Sequence, residues 1–262
     1  MPQHIIVVKK DKIGKIIFND PEHFNPLTPD VLKEVIAAMK DLEDDPEIRV
    51  IMFAGKGKGF SAGGSYAFLD SLTRITPGEI KTRLYKYFAG AVKAIKLSPK
   101  PTIAVVGGPA VGAGCEVAVA CDFRIVSEKA VFKEVWVKLG LLSPLGGMFL
   151  LPRLIGLSKA TEMFMLGTPV DGKEAERIGL ANKCVPAAKL EEEADALAQE
   201  LAESAPLALS AIKDGLRRGM ESSLYTEWEA NTFAQAAMFS SADFKEALSA
   251  LKESRKPEFK GK

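Results

Sequence analysis

The sequence has 262 residues, 47% of them hydrophobic and 26% charged, and its 35 basic and 34 acidic side chains leave a formal net charge of +1. That composition is ordinary for a globular protein long enough to bury a large core, and it offers no basic stripe for nucleic acid and no polybasic membrane anchor. Three cysteines without a CxxC pair and two histidines exclude a disulfide framework, a zinc knuckle and a His-rich metal site, and leave a Ser-His-Asp triad only His4 or His23 to recruit.

The opening MPQHIIVVKKDK has neither the apolar segment and cleavage site of a secretory signal nor a transit-peptide pattern, so the expected location is cytoplasmic. Ile5 to Val8 and Ile13 to Phe18 are β-branched runs on either side of KKDK and predict a hairpin at a sheet edge. Thr28-Pro29-Asp30 predicts a helix start, and Val31, Leu32, Val35, Ile36, Met39 and Leu42 follow at helical spacing. Arg49 to Ala54 predicts a buried strand, then comes the loop GKGKGFSAGGS, and then a helical stretch from Tyr85 to Ile95.

Pro101-Thr102 opens a second strand, IAVV, which runs into GGPAVGAG, the helical CEVAVAC and a third strand, FRIV. Strands alternating with helices at this length predict an α/β protein with a mostly parallel sheet. Residues 189 to 253 carry helical patterns, with caps at Ser204-Ala205-Pro206 and Ser241-Ala242-Asp243. The expected division is therefore a core over 1–195 and a helical region over 196–262. The apolar span from Pro101 to Cys121 is no membrane segment, because prolines, glycines and Glu116 interrupt it. Gly55, Gly57 and Gly59 form neither a dinucleotide loop nor a Walker loop, and Ser61 and Ser65 lie in no GxSxG elbow.

Two glycine-rich junctions, Phe60 to Ser65 and Val111 to Glu116, each precede a predicted helix. On the residues alone they are either simple turns or backbone N–H donors, and two donors that converge would form an oxyanion hole. Glu116 lies in the otherwise apolar helix Cys115 to Cys121. It must be hydrogen-bonded, paired, extended to solvent or functional, and desolvation would raise its pKa toward that of a proton carrier.

These segments resemble the crotonase (enoyl-CoA hydratase/isomerase) superfamily. IIFNDPEHFNPL is similar to the opening strand and NxP turn, GKGFSAGGS to the first oxyanion loop, and GPAVGAGCEVAVACDFRIVSEKAVF to the second loop with its helix and strand. LGLLSPLGGMFLLPRLIG, KATEMFMLG and ADFKEALSALKESRKPEFKGK carry the likeness to the end of the chain. The resemblance implies a spiral of ββα units with a C-terminal helical trimerisation region, assembling as a homotrimer or a dimer of trimers. It implies an acyl-CoA thioester as substrate and no cofactor beyond the CoA carried by that substrate. Its oxyanion donors would be the N–H groups of Gly64 and Ala113, its acid/base Glu116, and its substrate and CoA contacts Phe24, Ala62, Gly64, Ser65, Tyr66, Ala113 and Trp136.

The sequence also departs from the family. Trp136 stands where hydratases carry a second glutamate; Glu134, two residues earlier, would be displaced by about 7 Å along an extended strand. Ser143-Pro144-Leu145 lacks the acid of some isomerases, and Pro144 replaces the nucleophilic aspartate of the dehalogenase relatives, which share the tryptophan. Trp136 fits either a bulky, cyclic or aromatic acyl group or ordinary core packing. Ser254 takes the place of a CoA-phosphate lysine, with Lys252, Arg255 and Lys256 beside it. The expectation is enoyl-CoA hydratase/isomerase chemistry through a thioester enolate with one glutamate. The alternatives are an acyl-CoA hydrolase or decarboxylase of the same superfamily, or a non-catalytic trimeric CoA-binding scaffold.

Overall fold

The computed structural model describes residues 4–262. Strands β1 (Ile5–Lys10) and β2 (Ile13–Phe18) pair antiparallel with Lys10 opposite Ile13, so the hairpin turn is Asp11-Lys12 alone. Both residues have positive φ, as a two-residue turn matched to strand twist requires. The short β3 (Pro26–Leu27) leads into α1 (Pro29–Asp44), where Thr28 accepts the Val31 N–H and Pro29 occupies the first turn. Next come β4 (Val50–Gly55), β5 (Gly63–Gly64), α2 (Tyr66–Leu72), α3 (Pro77–Arg83) and α4 (Gly90–Leu97). The chain continues through β6 (Thr102–Val106), β7 (Pro109–Val111), α5 (Ala113–Ala120), β8 (Phe123–Ser127) and β9 (Val131–Lys133). Then α6 (Gly147–Ile155), α7 (Leu157–Leu166), β10 (Val170–Asp171), α8 (Gly172–Arg177) and β11 (Lys183–Val185) precede four helices, α9 (Leu190–Glu203), α10 (Pro206–Gly219), α11 (Leu224–Ser240) and α12 (Ala242–Glu253).

The main sheet has the order β1-β2-β4-β6-β8-β11 and is parallel except for the edge hairpin. A smaller sheet, β10-β9-β7, and the β3-β5 pair carry the loops that follow the main strands. Alternate residues of the central strands feed two cores, because side chains switch faces at every residue. Ile51, Phe53, Ala104 and Val106 face α1, α4 and α5, whereas Val50, Met52, Ile103 and Val105 face α9.

The division expected after residue 195 falls inside α9. Leu190, Ala194, Ala198, Leu201 and Ala202 form one continuous helical stripe buried on the sheet, so the core extends to Glu203 and the helical region begins at α10. α9 shares the helical texture of α10, α11 and α12, while its packing partner is the sheet.

Two polar anchors position the loops. Asn25, buried and left-handed at φ 56°, donates to the carbonyls of Lys56 and Gly59 at 3.0 and 2.9 Å and accepts the Asp20 N–H at 2.9 Å. Its side chain ties the NxP turn to the first glycine loop. Arg124, also buried, donates to the carbonyls of Ala118, Val119, Cys121, Asp122 and Leu180, closing the C-terminal end of α5. Asn25→Ala strands the buried Gly59 carbonyl, loses the bond to Lys56 and places a Cβ-bearing residue without a polar side chain in the left-handed region. It is expected to lower the unfolding free energy by about 2–4 kcal/mol in urea titration, with an unchanged denaturant slope.

Candidate active site

Backbone bonds bring the two glycine-rich loops together. The N–H groups of Phe60 and Ser61 both reach the Pro109 carbonyl at 3.0 Å, and the Val111 N–H reaches the Ser61 carbonyl at 2.9 Å. The approach leaves no room for side chains. A Cβ at Gly108 would lie 1.9 Å from the Lys58 carbonyl oxygen, and one at Gly63, where φ is +83°, would lie 2.4 Å from that of Val111 and 3.3 Å from the Ala113 nitrogen. The predicted donor segments are therefore adjacent.

In the β3-β5 pair Leu27 takes its hydrogen bond from Ser65, so the intervening Gly64 N–H faces away from β3. Ala113 is the first residue of α5, and its N–H is among the groups that a helix cannot satisfy internally. Gly112 ahead of it has φ 51° and ψ −118°, which turns the chain from β7 into the helix. The helix N-terminus adds its dipole to these donors.

Glu116 sits one turn into α5, only 1% exposed. Its two oxygens accept the Ser143 hydroxyl and the Gly147 N–H, each at 2.7 Å. Burial pushes the carboxyl up to about 7, against the stabilising pull of donors from Ser143, Gly147, Leu145 and Trp136. A buried carboxyl poised near neutrality can both take and return a proton. Neither donor was identified from sequence: Ser143 stood out only as a place lacking an acid, and a backbone N–H leaves no signature in residue identity.

The segment around Trp136 is not an extended strand. β9 ends at Lys133, and Trp136–Leu139 winds into a 3₁₀ turn. The fold-back brings the Trp136 indole N–H to 2.6 Å from Glu134 Oε2, in place of the displacement along a strand expected for Glu134. Glu134 is fully buried and its Oε1 has no hydrogen-bond partner. Burial, and then the charge of Glu116, push its carboxyl up to about 8. The indole ring reaches the second glycine loop, where a Cβ on Gly112 would lie 3.7 Å from Trp136 Cζ2.

The other expected contact residues surround the first loop. Phe24 is 43% exposed, its carbonyl accepts the Ala62 N–H at 2.7 Å, and its ring packs over Gly59. Ala62 is exposed, Ser65 caps α2 by accepting the Phe68 N–H, and Tyr66 is 85% exposed, so its hydroxyl stands in solvent. Near the C-terminus Ser254 ends α12 in the left-handed conformation. Arg255 pairs with Glu246 and Glu253, and Lys256 with Glu203, so two of the three cations beside Ser254 are engaged in surface ion pairs. Among the described residues no cluster of His, Cys, Asp and Glu suits a metal ion, and no helix is long and apolar enough to cross a membrane.

The chain matches the family model described as enoyl-CoA hydratase/isomerase over residues 8–262. It is 33% identical to the short-chain-enoyl-CoA hydratase of Clostridium acetobutylicum, with 97% of each chain covered, and 33% identical to the crotonyl-CoA hydratase of Syntrophomonas wolfei, with 98% of each covered. The crystal structure of an enoyl-CoA hydratase from Bacillus anthracis superposes with a TM-score of 0.93 at 29% identity, over 99% of this chain and all of that one.

Both glutamates are raised above the ordinary carboxyl range, so their contribution to folding is complete below about pH 4.5 and is lost as pH rises through about 7 and about 8. Thermal unfolding across a buffer series should show the wild type losing midpoint temperature on this alkaline path relative to the Glu116→Gln/Glu134→Gln double variant. Parallel curves for the two proteins would contradict the burial assignment.

Proposed function

The chain belongs to the enoyl-CoA hydratase/isomerase family of the crotonase superfamily, and from that membership we propose that Gly64, Ala113 and Glu116 carry out enolate chemistry on an acyl-CoA thioester. The single observation that carries this reading is Glu116: buried, held by two donors, and one helical turn from the Ala113 N–H. The thioester oxygen would lie between the N–H groups of Gly64 and Ala113, which stabilise the negative charge that develops there, about 3 kcal/mol for each donor. Glu116 supplies the proton traffic. In hydration it takes a proton from water as the water oxygen bonds to the β carbon, and that proton then passes to the α carbon as the enolate collapses. In a 1,3-shift it removes a proton, the electron pair moves to the thioester oxygen, and the proton returns two carbons along.

Trp136 occupies the side of Gly112 where the acyl group would enter, which supports a flat, apolar acyl substituent. Exposed apolar side chains on the last helices, among them Leu224, Trp228 and Phe233 of α11 and Leu251 of α12, support assembly into a homotrimer or a pair of trimers. Sedimentation should give three or six times the chain mass, and a monodisperse monomer would contradict the assembly.

A panel of enoyl-, dienoyl- and cyclic acyl-CoA thioesters tests the chemistry. Glu116→Gln should abolish turnover of the accepted thioester, and wild-type kcat/KM should fall as pH drops through about 7, where Glu116 becomes protonated and ceases to act as a base. Ala113→Pro removes one donor at a helix position that tolerates proline and should lower kcat by about 10²–10³-fold. Turnover unaffected by either change overturns the assigned roles, and CoA binding with no turnover of any thioester favours a scaffold.

A further inference from the structure

The residue that the proposed mechanism leaves idle is Glu134. It is fully buried, one carboxyl oxygen accepts the Trp136 indole N–H at 2.6 Å, and the other has no partner. We propose that Glu134 is a positioning residue that works in its neutral form, its carbonyl oxygen holding the Trp136 ring between Gly112 and Glu116. The inference rests on the functional reading above and extends it to the wall that faces the acid/base.

Two observations point to the neutral form, and a third is compatible with it. An ionised carboxylate with an orphaned oxygen in a dry site would bear the full cost of an unsolvated charge, whereas a neutral carboxyl leaves one uncharged hydroxyl unmatched, a smaller cost. The groups that face it offer no compensating cation. From α5 these are the Cys115 thiol, itself pushed up by burial and by Glu134, and Glu116, which is anionic when it acts as a base. On the helices behind, Lys159 pairs with Glu162 and Glu174, and Arg177 with Glu174. Lys133 and Lys138, on either side in the chain, contribute nothing to its titration. Finally, the geometry uses the group as an acceptor, a role that a neutral carboxyl and an amide fill equally well.

The turn explains why the ring needs an anchor. A 3₁₀ turn is too short to fix a side chain by its own packing, and Trp136 is only partly buried. Without the bond to Glu134, the indole N–H would lose its 2.6 Å partner and keep only its approach to Glu116, and the ring would turn on its χ angles.

The test uses two probes in a Trp228→Phe background, where Trp136 is the sole indole. With Glu134 intact, Trp136 emission should change through one ionisation on the alkaline side of neutrality, and this change should persist at lower pH in a Glu116→Gln protein, where one negative neighbour has gone. Glu134→Gln should show no such change, keep kcat within about threefold of the parent, and keep its activity at alkaline pH; Glu134→Leu should lower kcat by about tenfold or more with a smaller change in KM. The same emission titration in Glu134→Gln as in the parent, or equal kcat in the Gln and Leu variants, overturns the proposal. Emission decides the assignment even where no thioester turns over, so a failure of the catalytic reading and a failure of this one give different results.

Discussion

The site depends on the backbone bonds that join the loop after β4 to the loop after β6. Phe60, Ser61, Pro109 and Val111 form a short main-chain ladder, and the residues around it are small because carbonyl oxygens occupy the space a Cβ would need. Once that ladder exists, Gly64 and Ala113 are neighbours, with the Asn25 and Ser61 side chains holding the first loop from behind. The parallel sheet contributes by delivering both loops at the same end, the ordinary location of sites in open α/β sheets.

Electrostatics then follow from α5. All eight of its residues are buried, so Glu116 is a lone acid in an apolar helix with a positive N-terminal end beside the donors and the Arg124 guanidinium capping the other end. Two fixed donors keep Glu116 from becoming a permanently neutral group, and burial keeps it from becoming an ordinary surface carboxylate. The balance between these opposing effects, more than either alone, holds its carboxyl near neutrality. Glu134 differs because its strong donor is the Trp136 indole alone, the Cys115 thiol being a weak one, and Glu116 adds a like charge, so it stays on the neutral side of the same balance.

Much of this was legible in the residues. The apolar runs VIMFA and IAVV alternating with helices, the Thr28-Pro29 start of α1 and the glycine loops pointed to the parallel sheet and the position of α5, since these depend on local chemistry. The placement of Glu134 depended on whether β9 continued past Lys133. A 3₁₀ turn and a strand differ there by a few backbone angles, and no residue in KEVWVK commits the chain to either. Ser143 reaches Glu116 across 27 positions and the covering face of α9 is set by the sheet beneath it, so both become visible only after the tertiary packing is known.

The interlocked glycine loops also separate what can vary from what cannot. The floor of the site, made from Gly63, Gly108 and the first turn of α5, admits almost no substitution, because a single methyl group meets a carbonyl oxygen. Its cover, from Trp136 to Met148, is built differently: Leu139, Leu141, Leu142 and Met148 are exposed over about half of their surface or more, and Gly140 and Gly146 have open space around them. The exposed positions of the cover can therefore change while Ser143 and the Gly147 N–H, which hold Glu116, stay fixed. A scaffold divided in this way leaves room for change at surface positions that touch neither Glu116 nor the glycine loops.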